Sequence, residues 1–216
     1  MSPSRGTADG PPDQIARTTL RLVTEMGVDH VTTADVLTTM GTTRAVMDRY
    51  CPTEDDLWRT TAEFIERQMT ASWDPILSSG QSSVERLRSL VAMQLGLIMN
   101  TPALREMLFS RRLHRGDTAL RRGLCRLRGR FRALLCEILR EGIDAGQFPS
   151  RLDPERTARR LTETLQGMVL SWSLDASGGD VIEEAWGRLD ALVGTSRVRR
   201  PIAAPGAAAR NHTQGA

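Results

Sequence analysis

Residues 31 to 58, VTTADVLTTMGTTRAVMDRYCPTEDDLW, constrain the fold of this chain more than any other stretch. Val31, Val36, Met40, Val46 and Met47 are spaced so that two short crossing helices share a small apolar cluster. Gly41 between them supplies a tight backbone turn. A third helix opens at Thr53, whose hydroxyl caps it, and Glu54, Asp55 and Asp56 lie near the positive end of its dipole. The spacing therefore predicts a helix-turn-helix, its second helix running from about Thr43 to Tyr50. The first turn of that helix (Thr43, Arg44, Ala45) is small and polar, which suits a helix end that enters a major groove and touches base edges.

Around this core the chain resembles the TetR family of one-component transcriptional regulators. Leu22-Val23-Thr24-Glu25-Met26-Gly27 looks like the end of that family's first helix, Val31-Thr32-Thr33 with Asp35-Val36 like the start of its second, and Gly41-Thr42-Thr43-Arg44 like its turn and recognition helix. Arg49-Tyr50, Pro52 and Asp55-Asp56-Leu57-Trp58 look like the entry into its long fourth helix. Residues 13 to 60 carry most of the likeness, and Glu141-Gly142-Ile143 with Gly146-Gln147-Phe148 adds to it. The resemblance implies that Thr33, Thr42, Thr43, Arg44, Ala45, Arg49 and Tyr50 face DNA; by charge alone, Arg5 and Arg17 are further candidates for a local basic patch. Asp48 and Glu54 stand where the family usually has a phosphate-holding tyrosine and lysine, and Cys51 stands where it has an aromatic. Leu37 and Thr19 replace small alanines.

The rest of the chain reads as helices. Aromatic residues are 4% of the 216, while Leu, Met, Ala and Arg are common, so an all-α fold of about nine helices is expected. Helix one is expected to follow Asp13 as N-cap, with Ile15, Thr19, Leu22 and Met26 on one face. The helix from Thr53 should stop near Trp73, before Pro75. Further helices are expected over about 82–99, after Thr101-Pro102, over about 117–145, 153–174 and 180–193, the last two separated by Ser177-Gly178-Gly179. Residues 1–12 and 195–216, rich in Pro, Gly, Ala, Ser and Thr without helical periodicity, read as disordered tails. The domain reading is a DNA-binding head over 13–52 and a ligand-binding and dimerisation body over 53–194.

Charge is unevenly placed. Every one of the 29 basic side chains is Arg, and residues 1–60 hold six of them against nine acidic residues, a net of −3. Residues 105–140 carry eleven Arg against Glu106, Asp117 and Glu137, a net of +8. Such a ridge is either a solvated face or a site for a carboxylate, a phosphate or an acidic partner.

Catalytic chemistry is not signalled. His30, His114 and His212 are scattered, Cys51, Cys125 and Cys136 lack paired zinc spacing, and no HExxH, nucleophile elbow or phosphate-binding glycine loop occurs. No enzyme activity, metal or cofactor is expected. No run approaches the roughly 20 apolar residues of a membrane span, and residues 1–12 lack the apolar core of a signal peptide, so a cytoplasmic protein without a membrane partner is expected.

Two sets of apolar residues carry the remaining expectations. Phe64, Met93, Leu97, Met99, Met107, Phe131, Met168 and Trp172 are candidates for the wall of an adaptable ligand pocket, with core filling as the alternative. Leu161, Leu165, Met168 and Trp172, with Ile182, Trp186, Leu189 and Val193, form two stripes that either build a four-helix dimer interface or complete the intrachain core. The reading is a homodimeric, ligand-responsive repressor that binds a double-stranded DNA operator and an unidentified small-molecule effector. The alternative is the same fold with a degenerate head, serving as a protein-binding or ligand-binding module.

Overall fold

A computed structural model describes residues 10–111, 118–174 and 181–194. Over these residues the chain forms nine α-helices and no strand. Residues 1–9 and 195–216, which include Arg5 and His212, together with His114, the 177–179 linker and the Ile182 side chain, lie outside the described residues.

The head is α1 (Pro11–Met26), α2 (Thr33–Met40) and α3 (Arg44–Tyr50). Helix α1 begins two residues ahead of the expected cap at Asp13. Gly10 is the N-cap, and Pro11 and Pro12 occupy the first positions, where a missing N–H costs nothing. Those prolines therefore belong to the fold rather than to a tail. The buried stripe is Ile15, Ala16, Thr19, Leu22 and Val23; Met26, expected inside, is 43% exposed because the helix ends there at Gly27, whose φ is +83°. Thr19 is accommodated by donating its hydroxyl to the Ile15 carbonyl at 2.8 Å.

A single capping device recurs. Thr32 with Asp35 opens α2, Thr53 with Asp56 opens α4 (Glu54–Leu77), and Ser82 with Glu85 opens α5 (Ser83–Asn100). In each, the hydroxyl accepts from the third-position N–H while the carboxylate accepts from the cap's own N–H, which satisfies two donors the helix leaves orphaned. Gly41 takes the left-handed conformation (φ +60°) between α2 and α3, and its N–H donates to the Thr38 carbonyl at 3.2 Å. Val31, Val36 and Met47 are buried in the angle so formed, while Met40 and Val46 are only half-buried.

The body continues with α6 (Pro102–Phe109), α7 (Ala119–Asp144), α8 (Pro154–Leu174) and α9 (Val181–Val193). Helix α4 runs to Leu77, past the expected stop. Pro75 sits in its last turn, and the Ser78 N–H still reaches the Asp74 carbonyl at 2.9 Å. Long α7 is the axis of the body, packed on α4, α5 and α8. Gly123 lets α7 cross α4 at close range: a Cβ there would lie 2.4 Å from the Ala62 Cβ. At the other end Phe148 folds back over Gly142, through a left-handed turn at Gly146 (φ +68°), and the Gln147 carboxamide accepts from the Ser83 N–H at 2.8 Å.

Helices α8 and α9 pack with their apolar stripes inward. Leu161, Leu165, Met168, Leu189 and Val193 are between 1% and 7% exposed within a single chain. Trp172 and Trp186 are half-buried, lying under the guanidinium groups of Arg105 (5.2 Å) and Arg88 (5.9 Å). The intrachain core thus takes up Leu161, Leu165, Met168, Leu189 and Val193, since an area already taken from water cannot be buried twice, while Trp172 and Trp186 keep part of their surface exposed. The faces of α8 and α9 left exposed carry Glu163, Gly167, Leu170 and Ser171, and Gly187, Arg188 and Ala191.

Candidate nucleic-acid interface and effector cavity

The turn and recognition helix anchor on the core through Met47 and present an exposed face to solvent. Thr43, the α3 N-cap, is exposed, as are Arg44, Ala45 and Arg49, while Thr33, Thr42 and Tyr50 are half-buried. The Arg49 guanidinium lies 5.6 Å from the Tyr50 ring centre, which packs the pair at the end of α3. Arg17 is directed elsewhere, over the Phe64 ring at 5.0 Å in the seam between α1 and α4.

Both acidic departures have intrachain partners. Arg44 donates to the Asp48 carboxylate at 2.9 Å, one turn on, with both side chains more than half exposed. Glu54 accepts from the Trp58 indole at 3.5 Å. Asp55 accepts from the Ala119 N–H at 2.9 Å and from Arg122 at 3.2 Å, and so ties the start of α4 to the start of α7. Cys51 is buried and meets the Thr60 hydroxyl at 3.4 Å; loss of water around it pushes its thiol pKa up.

The basic ridge of α7 is spread over several faces, with Arg132 and Arg140 turned toward α8. Arg122, Arg126 and Arg130 recur every fourth residue and meet α4 carboxylates: Asp55 for the first and Glu66 for the other two, at 3.7 and 2.8 Å. Arg121 and Arg128, seven residues apart, lie on the neighbouring face, with Leu124 and Cys125 between them. That face looks onto a cavity of about 790 Å³ between α4, α5, α6, α7 and α8.

The cavity wall differs from the one expected from sequence. Met69, Ile98, Leu104, Leu108, Leu127, Phe131, Leu165 and Val169 are among its apolar lining residues. Phe131 is the single residue shared with the expected set. Phe64 packs beneath Arg17 and Arg67; Met93, Leu97 and Met99 are half-buried against the core; and Met107 and Met168 are core residues. Trp172 lies under Arg105. Helical periodicity tells which side of a helix is apolar but not where neighbouring helices part, so the wall was legible as a face and not as residues. A second concavity of about 570 Å³ lies between α7 and α8, lined by arginines together with Glu137, Asp153 and Glu155. Among the described residues no group of three or more His, Cys, Asp or Glu is arranged to hold a metal ion, and no helix is long and apolar enough to cross a membrane.

A capped helix-turn-helix joined to a helical body with an apolar cavity defines a class of regulator. Residues 83–194 match the model of the C-terminal region of BetI-type transcriptional repressors, and the chain belongs to the TetR family of transcriptional regulators. The chain is 28% identical over 122 residues to the nucleoid occlusion factor SlmA of Escherichia coli, an alignment that covers 56% of this chain and 62% of that protein. In fold it resembles a regulator from Saccharomonospora viridis solved in complex with choline (TM-score 0.71, 19% identity, 88% of this chain and 98% of the other). It also resembles the FadR regulator of Bacillus subtilis in complex with stearoyl-CoA (TM-score 0.69, 16% identity, 85% and 98%).

Proposed function

We propose that this chain is a homodimeric repressor whose head, residues 13–52, reads an operator and whose body, residues 53–194, binds a small-molecule effector and carries the dimer contact. The observation that carries the reading is a shared pair of helices. Helices α4 and α6 both pack on α1 of the head, and both wall the cavity, through Met69 and through Leu104, Leu108 and Phe109. A ligand that spreads α4 from α6 shifts the seat of α1, and with it the separation of the two recognition helices in a dimer. Operator half-sites sit about 34 Å apart, so a change in that separation lowers affinity by a coupling free energy on the order of 1 to 3 kcal/mol.

The dimer contact falls to the exposed faces of α8 and α9. Gly187 and Ala191 on α9 allow close helix approach, beside Ser171 at the exposed end of α8. Choline and stearoyl-CoA, held by two regulators of this fold, are opposite in charge, so the fold alone leaves the class of effector open.

A second reading keeps the fold and gives up the operator. The Arg44–Asp48 pair and the −3 charge of residues 1–60 favour it, because cationic side chains supply most of the non-specific affinity for DNA. Selection from a pool of random duplexes separates the two. The repressor reading expects enrichment of a two-fold symmetric site with half-sites one helical turn apart; a pool that stays random sinks it.

A further inference from the structure

We infer that the concavity between α7 and α8 binds a phosphate-bearing small molecule, at a site that shares no lining residue with the effector cavity. Small residues open it: Gly129 and Ala133, one turn apart on α7, line it with Ala158 of α8, and a Cβ at Gly129 would meet nothing within 4 Å. Arg132 and Arg140 enter it from α7, and Arg156 and Arg159 from α8, all four exposed. Its volume of about 570 Å³ lies within the range of roughly 300 to 1,000 Å³ typical of small-molecule sites. Charge decides the ligand class. Of the three lining carboxylates, Glu155 is paired with Arg140, and Asp153 accepts from the Arg156 N–H at 3.0 Å, which sets its charge against the positive end of α8. Among the described residues no carboxylate pairs with Arg132, Arg156 or Arg159, so three positive charges stand against the one negative charge of Glu137. A phosphate monoester carries about −1.5 to −2 at pH 7 with three acceptor oxygens, and so matches that excess. A single carboxylate meets half of it. Guanidinium forks arriving from two helices suit several acceptor oxygens on one group.

The rest of the chain brings no acidic side chain to compete. Gly194 comes close to Pro149 beside the α7–α8 turn, and residues 195–216 that follow it contain four Arg and no Asp or Glu. Residues 112–117 and 175–180 attach at the far ends of α7 and α8, about 16 Å from Gly129 and about 22 Å from Arg159 along the helices. Residues 1–9 precede α1, which packs on α2, α4 and α6.

Inorganic phosphate, glycerol 3-phosphate, succinate and tetraglutamate are titrated calorimetrically into the full-length protein at pH 7 and constant ionic strength. The expected result is saturable binding of both phosphates, one per chain, roughly tenfold tighter than succinate or tetraglutamate. Tighter binding of glycerol 3-phosphate than of phosphate, or the reverse, each supports the site and tells whether the phosphate comes on an organic body. Arg132→Gln and Arg159→Gln should each weaken phosphate binding by roughly five- to tenfold. Ala133→Leu keeps every charge and fills the concavity, and should abolish binding. These three positions are exposed, so the helical circular dichroism spectrum is retained. Arg199→Gln with Arg200→Gln, outside the site, should leave binding unchanged. Succinate or tetraglutamate binding as tightly as the phosphates overturns the ligand class. Phosphate binding that survives Ala133→Leu, or that is lost with Arg199 and Arg200, overturns the placement, and the absence of saturable binding overturns the site altogether. Each of these failures leaves the effector cavity and the operator reading standing.

Discussion

At the scale of single residues, the recognition helix is governed by an arginine already paired within its own helix. Arg44 and Asp48 are both well exposed, and such a pair contributes only about 0.3 to 0.5 kcal/mol, so a base edge or phosphate displaces the carboxylate at small cost. The residual cost is repulsion between Asp48 and the DNA backbone. Asp48→Tyr together with Glu54→Lys should therefore tighten binding, and the lysine should steepen the dependence of log K on log salt by about 0.9 per new phosphate contact on each protomer. An unchanged affinity and slope would mean that neither side chain faces DNA. Arg44→Ala is expected to cost about 1 to 3 kcal/mol on a specific site if the guanidinium grips one base through two bonds, and an equal loss on all sequences would instead mark a phosphate contact. Elsewhere the capping carboxylates set the acid limit of the head. Hydrogen bonds from Thr32 and Thr53 hold Asp35 and Asp56 below the ordinary aspartate value. A carboxylate lowered in this way stabilises the fold above its unfolded pKa, and that contribution disappears as pH falls through the folded one. Replacing both by Asn should flatten the acid limb of an unfolding curve followed by circular dichroism; a curve with its acid limb intact would show that the boxes contribute nothing to it.

Among the helices, close crossings were the features least visible in the chain. Two glycines of α7 look alike by position: Gly123 and Gly129 are both helical and both ordinarily worse than alanine by about 1 kcal/mol. Their surroundings separate them, since a Cβ at Gly123 would lie 2.4 Å from the Ala62 Cβ, while one at Gly129 meets nothing within 4 Å. Overpacking at about 1 to 3 kcal/mol outweighs propensity at the first site and is absent at the second. Gly123→Ala should thus lower Tm by several degrees and Gly129→Ala should raise it, as read by thermal unfolding; a Tm raised by both would remove the α4–α7 crossing from the account. The helices themselves were legible, because capping pairs such as Thr53 with Asp56 and the glycine at 41 are local signals. Where α1 starts was not, because Pro11 and Pro12 read equally well as tail or as first turn. Nor was the inward face of α8: Leu165 and Met168 form an apolar stripe that serves a partner or the core equally well, and only the packing of α5 and α7 against it decides.

For the molecule as a whole, burial of Leu165 and Leu189 decides which positions can test the proposed dimer contact. Arg substitutions at Leu165 or Leu189 would strand a charge in the core and unfold the chain, so they say nothing of assembly. Gly187→Arg combined with Ala191→Arg alters exposed positions of α9 instead, and should leave the helical spectrum intact while halving the mass in analytical ultracentrifugation. An unchanged dimer mass would reject these faces. The head is seated through α1 on α4 and α6, the helices that also brace the cavity. The central claim is that the head reads DNA, and equilibrium binding of labelled duplex from the region flanking its own gene, measured by fluorescence anisotropy between about 50 and 200 mM salt, tests that claim most directly. The account predicts a site bound on the order of a thousandfold or more tighter than unrelated duplex at the same salt, with log K falling linearly as log salt rises. Equal affinity for every duplex, or no binding even at the lowest salt, would contradict it.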